Sequence, residues 1–115
     1  MFQTGMSWPG NLTKKMKKYK IQVIPAAYND LKEARAWYRS KNSQLPKRLI
    51  QQIKITMEQI RSVPTAHANR YKDVRIANVA VFPYAVHFII ETDAVIVLAV
   101  HHIAIDPAKW MRKLS

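Results

Sequence analysis

The sequence contains no cysteine and only two glycines, and both glycines lie within the first ten residues. The absence of cysteine excludes a disulfide framework, a thiol nucleophile and a thiolate metal site. It fits a reducing cytoplasm, which is the compartment we expect. Because residues 19–115 contain no glycine, the glycine-rich loops that cradle phosphates are excluded as well.

Long apolar runs are also absent. No segment approaches the roughly 18–20 apolar residues that a membrane-spanning helix needs, and the N-terminus has no apolar stretch of the secretory type. We therefore expect no membrane partner. A chain of 115 residues with 49% apolar residues is predicted to fold as one domain.

Acidic residues are scarce. Nineteen Lys and Arg face seven Asp and Glu, which gives a net charge of +12. Such a surface attracts polyanions through counterion release, and nucleic acids are the usual ones. An acidic protein would be attracted equally well, so charge alone leaves both kinds of partner open.

The first fifteen residues differ from the rest. They hold Pro9 and both glycines, and the segment MKKYKIQVIP that begins at Met16 reads like a second start. We predict that 1–15 is a poorly ordered extension or a non-native start, and that 16–115 is the single domain. The alternative is that Trp8 docks on the core.

Periodicity predicts the elements of the domain. Residues 19–24 alternate as a strand, and Pro25 opens a helix that ends near Asn42. A second helix begins near Leu45 and stops at Pro64. The connection of about three residues makes the two helices an antiparallel hairpin.

The second half of the chain is strand-like. We predict strands at 74–77, continuing over 79–82, at 84–91 and at 94–103, followed by a helical turn over 106–111. The last strand is apolar on both faces in its middle, which is typical of a central strand covered on both sides or of a strand covered by a partner. The predicted fold is α+β with the order β-α-α-β-β-β, an antiparallel sheet packed by a two-helix hairpin.

The histidines do not predict a metal site. His101 and His102 are neighbours on a strand, so their side chains point to opposite faces. No other spacing of ligand residues resembles a metal motif, and no Gly-x-Ser-x-Gly elbow is present. We expect neither a metal nor a cofactor.

A different cluster could carry chemistry. Metal-independent RNA cleavage needs a base, donors for the phosphate charge and an acid, and Lys, Arg, Tyr and His supply these functions. The candidate catalytic residues are Arg75, His102, Tyr84 and Lys72. The candidate nucleic-acid-binding residues are Arg70, Tyr71, Lys72 and Arg75, since Arg grips phosphate bidentately and Tyr stacks on bases.

Each candidate also has a structural interpretation. Tyr84 after a proline is often half-buried with a satisfied hydroxyl, and His102 at a strand end is often structural. Arg75 could pair with Asp73 or Glu91. Trp110 after Asp-Pro is interpreted as a packing anchor.

Three segments in this order resemble the RelE/ParE superfamily of type II toxin–antitoxin toxins, also known as the plasmid stabilisation family. They are IPAAYNDLKEARAWYRSK, YKDVRIANVAVFPYAVHFII and VIVLAVHHIAIDPAKWMRK. The resemblance covers about residues 19–112. The family fold, a two-helix hairpin on an antiparallel sheet, agrees with the predicted order.

The resemblance implies a growth-inhibiting toxin that a cognate antitoxin holds inactive in a hetero-oligomer. RelE-like members are metal-independent endoribonucleases that cut mRNA on the ribosome, whereas ParE-like members poison DNA gyrase and lack the catalytic set. By position, Arg75 matches the family's sheet arginine, Tyr84 its Phe-Pro-Tyr tyrosine and His102 its late histidine.

Two positions depart from the family pattern. Ile105 stands where many relatives have an arginine before the Asp/Asn-Pro step, and His87 stands where relatives often have a tyrosine or another large residue. Three functions are thus carried forward: mRNA cleavage, gyrase poisoning, and a basic protein- or nucleic-acid-binding domain without toxicity.

Overall fold

A computed structural model of the protein describes the backbone of residues 6–7 and the whole of residues 19–104. The predicted helical turn at 106–111, Ile105, Trp110 and most of the predicted extension at 1–15 lie outside the described residues. The described elements, in chain order, are β1 (Met6–Ser7), β2 (Lys20–Val23), α1 (Pro25–Lys41), α2 (Leu45–Ser62), a 3-10 turn (Pro64–Ala66), β3 (Asn69–Tyr71), β4 (Val74–Asn78), β5 (Tyr84–Glu91) and β6 (Ala94–His102).

The helical hairpin agrees with the prediction. Pro25 occupies the first position of α1, where its missing N–H costs nothing. Both helices bury an apolar stripe at helical spacing against the sheet. The buried residues of the two stripes are Ala27, Leu31 and Ala34 on α1 and Leu49, Ile53, Met57 and Ile60 on α2.

The sheet has the order β1-β2-β6-β5-β4-β3 over the described residues. The α+β class is confirmed, but the expectation of a wholly antiparallel sheet is wrong, because β2 and β6 are parallel, with Ile21 beside Val95. The two strands lie at opposite ends of the chain. No short turn therefore fixes their relative direction. The helical hairpin carries the chain from β2 to β3, and β4 and β5 bring it back to β6 beside β2.

The predicted continuation of β4 over 79–82 is also wrong. Val81 has a φ of 74°, and the Val79 N–H donates to the Tyr84 carbonyl at 2.9 Å. The segment is therefore a turn between β4 and β5. It still packs inward, since Val79 and Phe82 are buried.

The strand β6 is central, as its apolar middle predicts. Val95, Ile96 and Val97 are all fully buried, although successive residues of a strand point to opposite faces. Both faces of the sheet are therefore covered at this point. Within the described part of the chain, neither helix is long and apolar enough to cross a membrane.

Candidate functional site

Tyr84 and His102 lie side by side at one end of the sheet. They are direct partners in the β5–β6 ladder, and their ring centroids are 5.5 Å apart in an edge-to-face arrangement. His101 contacts the ring of His87 instead, at 5.3 Å. The alternation of the two neighbouring histidines between faces is thus confirmed, and it places His102 beside Tyr84.

A cleft of about 360 Å³ opens at this pair. The helix α1 supplies Asp30, Glu33 and Trp37 to its wall. Among the described residues that line the cleft, two are carboxylates and none is Lys or Arg. Electrostatically, the described wall favours a cation over a phosphate.

Asp30 links the α1 wall of this cleft to β6. One carboxylate oxygen accepts the Val100 backbone N–H at 3.0 Å, in the part of β6 that extends beyond its pairing with β2. The same oxygen lies 3.5 Å from Nε2 of His101. A charge-assisted bond to a strand edge is stronger than a neutral one, so Asp30 holds α1 against β6.

The protonation of Tyr84 limits its chemistry. Burial, and then the neighbouring Tyr38, raise the pKa of the Tyr84 hydroxyl above its ordinary value of 10. At neutral pH the hydroxyl stays protonated, so it can donate a hydrogen bond but cannot act as a base. His102 is exposed, and its Nδ1 accepts the Ala104 N–H at 3.1 Å.

The candidate phosphate ligands lie elsewhere. Arg75 pairs with Phe88 on β5, four residues from Tyr84, which is roughly 13 Å along a strand. Its guanidinium donates to the His67 carbonyl. Burial, and then the charge of Arg75, lower the pKa of His67.

Lys72 and Arg70 belong to the same end of the sheet as Arg75. Lys72 lies in the β3–β4 turn with a φ of 47°, and both side chains are exposed. The structure therefore brings Tyr84 and His102 together, and places the cationic candidates around β3 and β4. The catalytic and nucleic-acid roles of these residues stay predictions.

Tyr71 makes a contact that the sequence did not reveal. Its hydroxyl lies 2.7 Å from Nδ1 of His87, which is a hydrogen-bond distance. Burial raises the pKa of Tyr71 to about 12. Burial, and then the nearby His101, lower the pKa of His87 to about 4. The strand β3, which carries Tyr71, was not predicted from the sequence, so the partner of His87 was missed.

No group of three or more His, Cys, Asp or Glu side chains within the described residues is placed to hold a metal ion.

Comparison with known protein families identifies the family of this chain. The family model of the ParE toxin of the type II toxin–antitoxin system parDE matches residues 21–107. The chain belongs to the ParE toxin family. The predicted resemblance to the RelE/ParE superfamily is confirmed, and this ParE-family chain is a toxin component of a type II toxin–antitoxin system.

A solved structure supports the fold of the ParE-family chain. It is described as the chromosomal ParDE TA system from P. aeruginosa, and it superposes with a TM-score of 0.64 at 16% identity. The match covers 71% of this chain and 92% of the other. A search of curated proteins finds no match.

Proposed function

We propose that this ParE-family toxin inhibits bacterial growth by poisoning DNA gyrase and does not cut mRNA. The observation that carries the proposal is the composition of the Tyr84–His102 cleft, whose described wall contains Asp30 and Glu33 and neither Lys nor Arg. Ribonucleolytic chemistry stabilises developing negative charge on a phosphate. Carboxylates at that point raise the energy of such a transition state.

The position of Arg75 supports the same proposal. A phosphate held between the Tyr84–His102 pair and Arg75 would have to span roughly 13 Å, whereas catalytic contacts act at about 3 Å. Arg75 already donates to the His67 carbonyl, which gives it a structural role where the 3-10 turn leads into β3. The pairing of Tyr84 with His102 is the only one of these observations that favours the competing function, mRNA cleavage.

The proposal includes a cognate antitoxin as partner and the cytoplasm as site of action. The relative is described as a ParDE system, and membership in the ParE toxin family makes antitoxin binding the expected means of control. Co-expression with the neighbouring gene should yield a hetero-oligomer. Recovery of the toxin as a lone monomer in that experiment would count against this part of the proposal.

The double variant Tyr84→Phe/His102→Ala tests the mechanism. We expect growth inhibition within about threefold of the wild type, because neither hydroxyl nor imidazole takes part in gyrase poisoning. If the protein were a nuclease, the loss of its general acid–base groups would cost roughly 10²–10⁴-fold in rate. Phenylalanine keeps the ring, whose centroid lies 6.1 Å from that of Tyr38 and which packs against the core, so folding is preserved.

The assays are chosen to separate the targets. Purified toxin is incubated with gyrase and supercoiled plasmid, and in parallel with translating ribosomes and a defined mRNA. Gyrase-dependent DNA cleavage with intact mRNA supports the proposal. Transcript cuts that vanish in the double variant would overturn it and restore the nuclease interpretation.

A further inference from the structure

We infer that the outward groove between α1 and α2 binds the phosphate backbone of duplex DNA. The groove has a volume of about 650 Å³ and lies between the exposed sides of the two helices. The inference rests on the proposed function only for its biological setting, in which the DNA is that held by gyrase. The DNA-binding test below contains no gyrase.

Charge sorting on the hairpin carries the inference. Five of the residues that line the groove are cations and none is an acid, within the described part of the chain; they are Lys32, Arg35, Arg39, Lys47 and Lys54. All five are exposed. The described chain offers them no ion pair. Each is therefore available to a ligand.

None of the three acidic residues of the hairpin lines the groove. Asp30 contacts β6, Glu33 accepts a hydrogen bond from Asn29, and Glu58, one turn from Lys54 on α2, pairs with Arg61. The described lining of the groove itself thus carries positive charge only. This arrangement differs from the mixed-sign surface of an ordinary solvated helix pair.

The spacing of the cations fits a phosphate backbone. Lys32, Arg35 and Arg39 follow one stripe of α1, and Lys47 and Lys54 follow one stripe of α2; the first and last cations of each stripe are seven positions apart, or about 10 Å. One strand of a duplex carries a phosphate about every 3.4 Å, hence about three phosphates in that length. The five cations are therefore enough to contact each phosphate in one short stretch of backbone.

The floor of the groove favours DNA over an acidic amphipathic helix. A helix that docks in a groove needs exposed apolar surface for its own apolar face. Leu31, Pro46 and Ile53 are buried within the protein itself, so apart from the aliphatic stems of the cations the accessible apolar surface comes from Tyr28 and the half-buried Ile50. Tyr28, which is 41% exposed, is the main exposed apolar side chain of the described lining.

The test measures the binding of the purified full chain to a fluorescein-labelled 20-bp duplex by anisotropy, as a function of NaCl concentration. The variant is Arg35→Gln/Arg39→Gln/Lys47→Gln. Glutamine matches Arg and Lys in helix propensity, so the hairpin is retained. Each lost phosphate contact reduces the slope of log K against log[salt] by about 0.9, so we expect the slope to fall by about 2.7.

The matched control removes the same charge outside the groove. Lys20→Gln/Lys41→Gln/Arg48→Gln neutralises three exposed cations that do not line it, and should leave the slope within about one contact of the wild type. Equal losses in both variants would reduce the effect to general charge and overturn the inference. Wild-type DNA binding by the groove variant would also overturn the inference. The same conclusion holds if that variant keeps its DNA binding and loses antitoxin binding instead.

The gyrase assay separates the two proposals. A groove variant that loses DNA affinity while the wild type shows no gyrase-dependent cleavage would support the groove and reject the gyrase target. If the groove variant still poisons gyrase and its DNA affinity is unchanged, the result would support the gyrase target and reject the groove as a DNA site.

Discussion

Replacement of Phe88 by alanine is expected to lower the free energy of unfolding by about 3–5 kcal/mol. Phe88 is fully buried and lies in the middle of the sheet, with Arg75 on one side and Val97 on the other. Its ring also meets the His67 ring edge-on, with centroids 5.8 Å apart. Removing it deletes apolar contact and leaves a cavity that rigid neighbours on three strands cannot fill.

A loss of that size is a large part of the total stability, which for a domain is typically about 5–15 kcal/mol. Urea denaturation followed by circular dichroism measures it. Phe88→Leu should cost less, about 1–1.5 kcal/mol, because most of the volume is kept. Ile55→Ala, at a residue that is 49% exposed, should change stability by less than about 0.5 kcal/mol. If Phe88→Ala cost no more than Phe88→Leu, the ring would not be the centre of the core.

The helices could be predicted because their signal is local. Apolar residues such as Leu49, Ile53 and Met57 recur every three or four positions, and this spacing alone indicates which face is buried. The parallel pairing of β2 with β6 has no local signal. It depends on contacts between the two ends of the chain, such as the bond from the Lys20 N–H to the Asp93 carbonyl.

The candidate site shows the same division. The sequence predicted Tyr84 and His102 on two neighbouring strands, and the β5–β6 ladder makes them direct partners; alternation predicts the face of each side chain but not this register. Alternation also does not predict the distance between Arg75 and the Tyr84–His102 pair. The turn at Val79–Pro83 sets the register that aligns Arg75 with Phe88, and a positive φ at Val81 is not predictable from a β-branched residue. The three residues of β3 were too few to show any alternation.

Acidification should destabilise the protein between about pH 6.5 and 4 through His87. Burial, and then His101, lower the pKa of His87 from 6.5 to about 4. Between these two pH values His87 is protonated in the unfolded chain but not in the folded protein. The free energy of unfolding therefore falls as the pH falls. A side chain that is only 5% exposed feels little solvent screening. The shift corresponds to a loss of about 2–3 kcal/mol by pH 4.

His87→Gln isolates this contribution. Carboxylates and His67 titrate in both proteins, so they largely cancel when the two unfolding curves are subtracted at each pH. We expect the difference in unfolding free energy to shrink by about 2–3 kcal/mol between pH 7 and pH 4, since the variant lacks the titrating ring. His102→Gln, at an exposed position, is the control with an equal change in composition. A difference that stays constant with pH for His87→Gln would show that the ring beside Tyr71 accepts its proton without unfolding, and that its burial does not oppose charge.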